Sequence, residues 1–120
     1  MSSYIVWHNP SCSKSRAARD ELFEFGADAT LRLYKQDPPS EAELVEVLDK
    51  LGLEPWDITR FGEAVAKDLG IGEWKREASA RDEWIAALVA NPGLIQRPIV
   101  ILGDRAVVAR DPGWRDRLEA

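Results

Sequence analysis

Tyr4-Ile5-Val6-Trp7 is a short run of β-forming apolar residues, the pattern of a buried strand. A polar stretch from His8 to Arg16 follows. Ala17, Ala18, Leu22 and Phe25 then recur at helical spacing as far as Gly26, which fits the left-handed position that ends a helix. Residues 30–34 alternate and predict a second strand, followed by a loop over 35–39. Ser40 with Glu43 three residues on is a capping-box pattern; Leu44, Val45, Leu48 and Leu51 form the apolar stripe of the helix it opens, and Gly52 stops it. Residues 55–58 read as a short helical turn. The stretch 59–72 carries Arg60, Glu63 and a helical run over 64–69. Ser79 with Asp82 predicts another helix start, with Trp84, Ile85, Leu88 and Val89 on one face and Asn91-Pro92-Gly93 as its stop.

Ile99-Val100-Ile101-Leu102 is a strong strand. Gly103-Asp104 is a two-residue turn, and residues 105–109 return as an antiparallel partner. Asp111-Pro112 opens a short last helix carrying Trp114 and Leu118. The order strand, helix, strand, several helices, hairpin, helix predicts an α/β domain with a mixed sheet, its first two strands parallel and joined by a right-handed crossover. At 120 residues, 45% hydrophobic and 31% charged, one globular domain over 1–120 is expected.

Charge and cysteine count narrow the chemistry. A net charge of -5 argues against nucleic-acid binding, which favours a basic surface. No apolar run approaches a membrane span and no secretory signal pattern opens the chain, so a cytoplasmic protein without membrane contact is expected. One Cys and one His cannot make a structural zinc site, and one Cys precludes an internal disulfide. That cysteine, Cys12, falls in the predicted strand-to-helix turn. Unpaired N–H groups and the positive end of the helix dipole stabilise a thiolate there, and Lys14 and Arg16 add positive charge. His8 either lowers the thiol pKa or fixes the turn; Ser15 either hydrogen-bonds the thiolate or caps the helix. Arg16 reads as an orienting residue, and Glu63 as a partner that holds Arg60 or as part of a solvated helix face. The five tryptophans read as packing residues.

A cysteine at the end of the first strand, a mixed sheet and a proline before the later hairpin together resemble a thioredoxin-like fold. The extra helices between strand two and the hairpin narrow the match. With His8-Asn9-Pro10, Cys12, Ser15-Arg16, Pro38-Pro39, Arg60 with Glu63, Leu94-Ile95, Arg97-Pro98 and Arg110 in order, the chain resembles the glutaredoxin-coupled arsenate reductases, a family that also contains thioredoxin-fold regulators of RNA polymerase. The resemblance implies that Cys12 is the catalytic nucleophile, that Arg60, Arg97 and Arg110 bind the oxyanion, and that the Arg97-Pro98 bond is cis. It implies arsenate as substrate, no bound cofactor, glutathione or another small thiol as co-substrate, and glutaredoxin or a similar thiol-disulfide oxidoreductase as partner. A single cysteine agrees with that scheme, because it leaves no second thiol to resolve an adduct. The other arsenate reductase type carries a Cys-x5-Arg loop; position 18 here is Ala. Two alternatives keep the fold: a thiol reductase without arsenate specificity, and an RNA-polymerase-binding regulator. Redox-sensing members of that branch carry a Cys-x-x-Cys pair, and position 15 is Ser.

Overall fold

The computed structural model describes residues 3–119. The chain divides into two compact units, Met1–Asp37 with Arg97–Ala120, and Pro38–Gln96. The first unit holds strands β1 (Ser3–Trp7), β2 (Asp28–Arg32), β3 (Ile99–Leu102) and β4 (Arg105–Val108), with helices α1 (Ser13–Phe25) and α5 (Trp114–Glu119). The sheet order is β2-β1-β3-β4. β1 pairs parallel to β2 and antiparallel to β3, and β3 pairs antiparallel to β4, so the sheet is mixed as the element order predicts.

Register explains which apolar residues meet. Val6 stands opposite Leu31 on one side and Val100 on the other, so these three share a face, as do Tyr4, Ala29 and Leu102. That face packs with Ala18 and Leu22 of α1 and Trp114 and Leu118 of α5. Ile99, Val100 and Ile101 are all buried, which is why β3 reads as an unbroken apolar run rather than an alternation. α1 ends where Gly26 takes φ +79; its N–H donates to the Phe23 carbonyl and the Ala27 N–H to the Leu22 carbonyl, the paired bonds that close a helix on a left-handed residue. The Arg97-Pro98 bond is cis, as expected.

The second unit is the helical insertion. It contains α2 (Glu41–Leu51), α3 (Ala64–Leu69) and α4 (Arg81–Ala90), with one-turn 3-10 helices at Pro55–Ile58, Ile71–Glu73, Ala78–Ala80 and Pro92–Leu94. Its centre is Trp84, fully buried, with Trp56, Phe61 and Trp74 standing edge-on at 5.8, 6.0 and 5.6 Å between ring centroids. Edge-to-face contacts of this kind add to the area the rings bury. The indole N–H of Trp84 donates to the Lys75 carbonyl at 2.8 Å, so its polar atom is satisfied. Packing is therefore the role of these tryptophans, as read from the sequence. No helix among the described residues is long and apolar enough to cross a membrane.

Four local expectations are corrected. β2 spans 28–32, not 30–34, because its limits follow its pairing, Ser3 with Asp28 through Trp7 with Arg32. On α2 the buried residues are Leu44, Val47 and Leu48, so Val47 replaces Val45 in the stripe. Ser79 is exposed inside a 3-10 turn, and α4 starts after Ala80 without a side-chain cap. Phe25 is 52% exposed rather than packed inward; it lies under the Arg115 guanidinium at 4.1 Å.

Both halves of the predicted capping box form at α2: Ser40 Oγ accepts from the Glu43 N–H at 3.1 Å, and Glu43 Oε1 accepts from the Ser40 N–H at 3.0 Å. Ser40→Ala should therefore cost about 1 kcal/mol of stability. Leu22→Ala, which empties a fully buried site, should cost about 2–5 kcal/mol. Urea unfolding at constant m-value checks both, and equal losses would contradict this ranking.

Candidate active site

Cys12 sits at the N-cap of α1 with extended backbone, φ -100 and ψ 124. The chain reaches it through a tight turn. The Cys12 N–H donates to the Asn9 carbonyl at 3.0 Å, and Asn9 Oδ1 accepts from the Ser11 N–H at 3.0 Å, a side-chain-closed turn that Asn favours. Arg16 Nη1 donates to the Pro10 carbonyl at 2.8 Å. Arg16 thus orients the loop, as the sequence suggests.

Below this turn lies a buried polar cluster. His8, Asn9 and Ser15 are 3%, 6% and 0% exposed. Ser15 Oγ accepts from the Asn9 N–H at 3.0 Å and lies 2.7 Å from His8 Nδ1. The His8 N–H donates to the Arg32 carbonyl at 2.8 Å, tying the end of β1 to β2. Burial, then the charges of Arg19 and Arg16, push the His8 imidazole below its ordinary pKa, against a smaller opposing pull from Asp20. A neutral ring with one acceptor nitrogen can take the Ser15 hydroxyl proton at Nδ1, which leaves Ser15 Oγ free to accept from Asn9. The Ser15 hydroxyl thus joins strand, turn and helix, a role outside the two that the sequence leaves open.

The sulfur carries the chemistry. Burial pushes the Cys12 thiol up, but the backbone N–H of Ser15, the Arg97 side chain, the backbone N–H of Lys14 and the Arg110 side chain pull harder, and the net shift is downward. The sulfur forms no aligned cap hydrogen bond, so the N–H groups act on it as dipoles at a helix N-terminus. Arg110 is held in turn: its Nη1 donates to the Arg97 carbonyl at 2.7 Å. The first unit therefore brings together Cys12, Arg97 and Arg110, with His8 and Ser15 beneath the turn. Arg60 belongs to the second unit. Its N–H donates to the Leu94 carbonyl at 2.7 Å, beside the bridge between Thr59 and Ile95, and its Nη1 lies 3.3 Å from Glu63 Oε1 as an ion pair. Glu63 does hold Arg60. Sequence reading names Asn9 without a role; Asn before Pro-Ser is a turn-closing signal that could have supplied one.

Cys12 should alkylate with a half-maximal pH below the roughly 8.5 of a free cysteine, and Arg110→Ala should move that midpoint up. A midpoint at or above the free value would remove the thiolate. The lowered thiol pKa contributes stability that is present above the unfolded-chain pKa and lost as pH falls through the folded one. His8 adds a separate slope. Its folded pKa lies below the unfolded value of 6.5, so stability should fall as pH drops from 6.5 through the folded pKa. In His8→Gln that part of the stability curve should flatten; thermal melts across the window check it.

The ArsC family model matches residues 7–117. The chain is 58% identical over 115 residues to an uncharacterized protein in the glnII region of Streptomyces viridochromogenes, covering 94% of this chain and 97% of that one. It is 36% identical to an arsenate reductase of Neisseria meningitidis serogroup A over 88% of both chains. Among solved structures it superposes on an arsenate reductase from Vibrio cholerae with a TM-score of 0.88 at 32% identity, over 98% of both chains. A thiol at a strand-to-helix turn with two arginines directed at it, on a thioredoxin-like mixed sheet with a helical insertion, is thus the setting in which this chain belongs to the ArsC family.

Proposed function

We propose that this protein reduces arsenate to arsenite through a covalent adduct on Cys12. The observation that carries the reading is the Cys12 sulfur, lowered in pKa by two helix N-terminal N–H groups and the side chains of Arg97 and Arg110. Groups that stabilise negative charge on sulfur also suit a tetrahedral oxyanion. Arginine offers a planar, permanently charged fork to two oxygens at once, and the N–H groups add fixed dipoles. A thiolate can approach an anion only where such positive charge offsets the repulsion. Relatives named arsenate reductase over most of their length support the substrate. The family pattern, rather than the geometry, supports Arg60 as a further oxyanion arginine.

The Cys12 thiolate attacks arsenic(V), and one arsenic oxygen leaves as water after taking up protons, which gives a thiol-arsenate ester with arsenic still pentavalent. A small thiol such as glutathione then displaces a second water from arsenic. A glutaredoxin thiol attacks the glutathione sulfur; the electron pair of the As–S bond stays on arsenic, which becomes trivalent, and a glutaredoxin-glutathione disulfide leaves. Water then releases arsenite from Cys12 as the thiol. Cys12 is the only cysteine in the chain, so the two electrons must come from outside thiols.

A coupled assay tests this: arsenate-dependent NADPH oxidation with glutathione, glutathione reductase and glutaredoxin. Cys12→Ser should abolish turnover, since a neutral hydroxyl is a far weaker nucleophile than a thiolate. Arg60→Ala, Arg97→Ala and Arg110→Ala should each lower kcat/KM for arsenate about 10- to 150-fold, the value of one charge-assisted hydrogen bond of about 1.5–3 kcal/mol. Turnover by Cys12→Ser near the unsubstituted rate, or full turnover with no added thiol, would sink the scheme.

A further inference from the structure

Residues 109–113 join β4 to α5 and carry Arg110. A surface connection of that kind is ordinarily mobile. Here it is held at both ends. Upstream, Ala109 is buried in the core, and its N–H donates to the Pro98 carbonyl at 2.9 Å. The Arg110 N–H closes a three-residue turn onto the Val108 carbonyl at 3.1 Å. Downstream, Arg117 of α5 grips Asp111: Nη2 donates to Oδ1 at 2.9 Å, and Nη1 donates to Oδ2. The clamp passes over Gly113, where a β-carbon would meet Asp111 Oδ2 at 3.7 Å. Arg117 is itself anchored, because Trp114, one turn before it, and Leu118, next to it, are buried.

Both side chains of the clamp are half-exposed, and an exposed ion pair adds little to stability. Its two-point geometry fixes direction instead, because a planar guanidinium fork matches a carboxylate in one orientation. The residue it directs is the neighbour of Asp111. Ala109, Arg110 and Asp111 line one cavity together with Lys14, Ala17 and Ala18. This turn therefore stands beside the first turns of α1, the helix that Cys12 caps. From there Arg110 Nη1 reaches the Arg97 carbonyl at 2.7 Å.

We infer that the Asp111–Arg117 clamp is a positioning device for Arg110, holding its guanidinium beside the start of α1 where it meets the oxyanion. The inference rests on the arsenate reading for that last step, the use of Arg110 as an oxyanion arginine. Asp111 and Arg117 are positioning residues, since both act through Arg110. A guanidinium already aimed loses less freedom when substrate arrives. The pull of Arg110 on the Cys12 thiol is a second consequence of the same placement.

The pH midpoint of Cys12 alkylation by iodoacetamide tests the placement without arsenate. Arg117→Gln should raise it, in the direction of Arg110→Ala, and Asp111→Asn should raise it too. The second variant separates positioning from plain charge. Loss of a nearby carboxylate favours a thiolate and by itself lowers the midpoint, whereas a loosened Arg110 raises it. In an Arg110→Ala background neither substitution should raise the midpoint further, because the residue they act through is gone. Arg115→Gln removes an equal charge from α5, breaks its ion pairs with Glu21 and Glu119, and leaves the clamp intact; the midpoint should stay in place. For arsenate, Arg117→Gln should lower kcat/KM about two- to fivefold, the range of a well-aligned exposed pair, and not at all in the Arg110→Ala background. A midpoint unchanged in Arg117→Gln, lowered in Asp111→Asn, or raised equally without Arg110 overturns the clamp; if the unsubstituted protein still reduces arsenate, the arsenate reading stands. If the midpoints follow the expected pattern and no arsenate is reduced, the clamp stands and the arsenate reading falls.

Discussion

A negative charge on a half-buried sulfur has to be offset by fixed positive charge, and the architecture around Cys12 follows from that requirement. Burial alone disfavours the thiolate. Water could stabilise it only by exposing it, which would also let it react indiscriminately. The fold instead places the sulfur where α1 begins, so that peptide N–H groups without intrahelical partners face it, and supplies two guanidinium groups from the far end of the chain. Such donors are already oriented before substrate arrives, and no reorganisation is needed when charge builds up.

Holding those donors still falls to residues that never touch the sulfur. The buried Ser15 hydroxyl accepts from Asn9 and meets His8, and the Asn9 side chain closes the turn that delivers Cys12. His8 is anchored through its own N–H to β2. Loss of a member of such a buried cluster leaves a polar atom without its partner, which costs about 1–3 kcal/mol and loosens the turn. Arg110 is similarly fixed by its bond to the Arg97 carbonyl. The two arginines connect the C-terminal hairpin to a helix that starts at residue 13.

The second unit shows how a different packing solution serves a short helical segment. Its helices are brief, and helices of that length are marginal by themselves in water. A fully buried tryptophan surrounded by three aromatic rings supplies apolar contact that no single short helix could. The bridge between Thr59 and Ile95, with hydrogen bonds on either side of it, fixes the backbone at Arg60, and Glu63 fixes its side chain.

Much of this was legible along the chain because it depends on local chemistry. The N-terminal strand, the helix stop at Gly26, the capping box at Ser40 and the hairpin turn at Gly103 are set by residues within a few positions of one another, where φ preference and side-chain-to-backbone bonds decide the outcome. The position of Cys12 at a helix start belongs to the same class. Tertiary structure decided the rest. β2 is an edge strand with no fully buried residue, so its limits come from pairing with β1 and not from its own alternation. Phe25 has the right spacing for the core, but it lies at the end of α1 and meets Arg115, a residue of the last helix. The His8–Ser15 contact, the bond from Arg110 to the Arg97 carbonyl and the cavity beside α1 likewise join residues between 7 and about 100 positions apart. Local propensity determined where each element starts and stops; which side chains share the thiol's surroundings was decided only when distant strands paired, because contacts across the sheet carry no periodicity in the sequence.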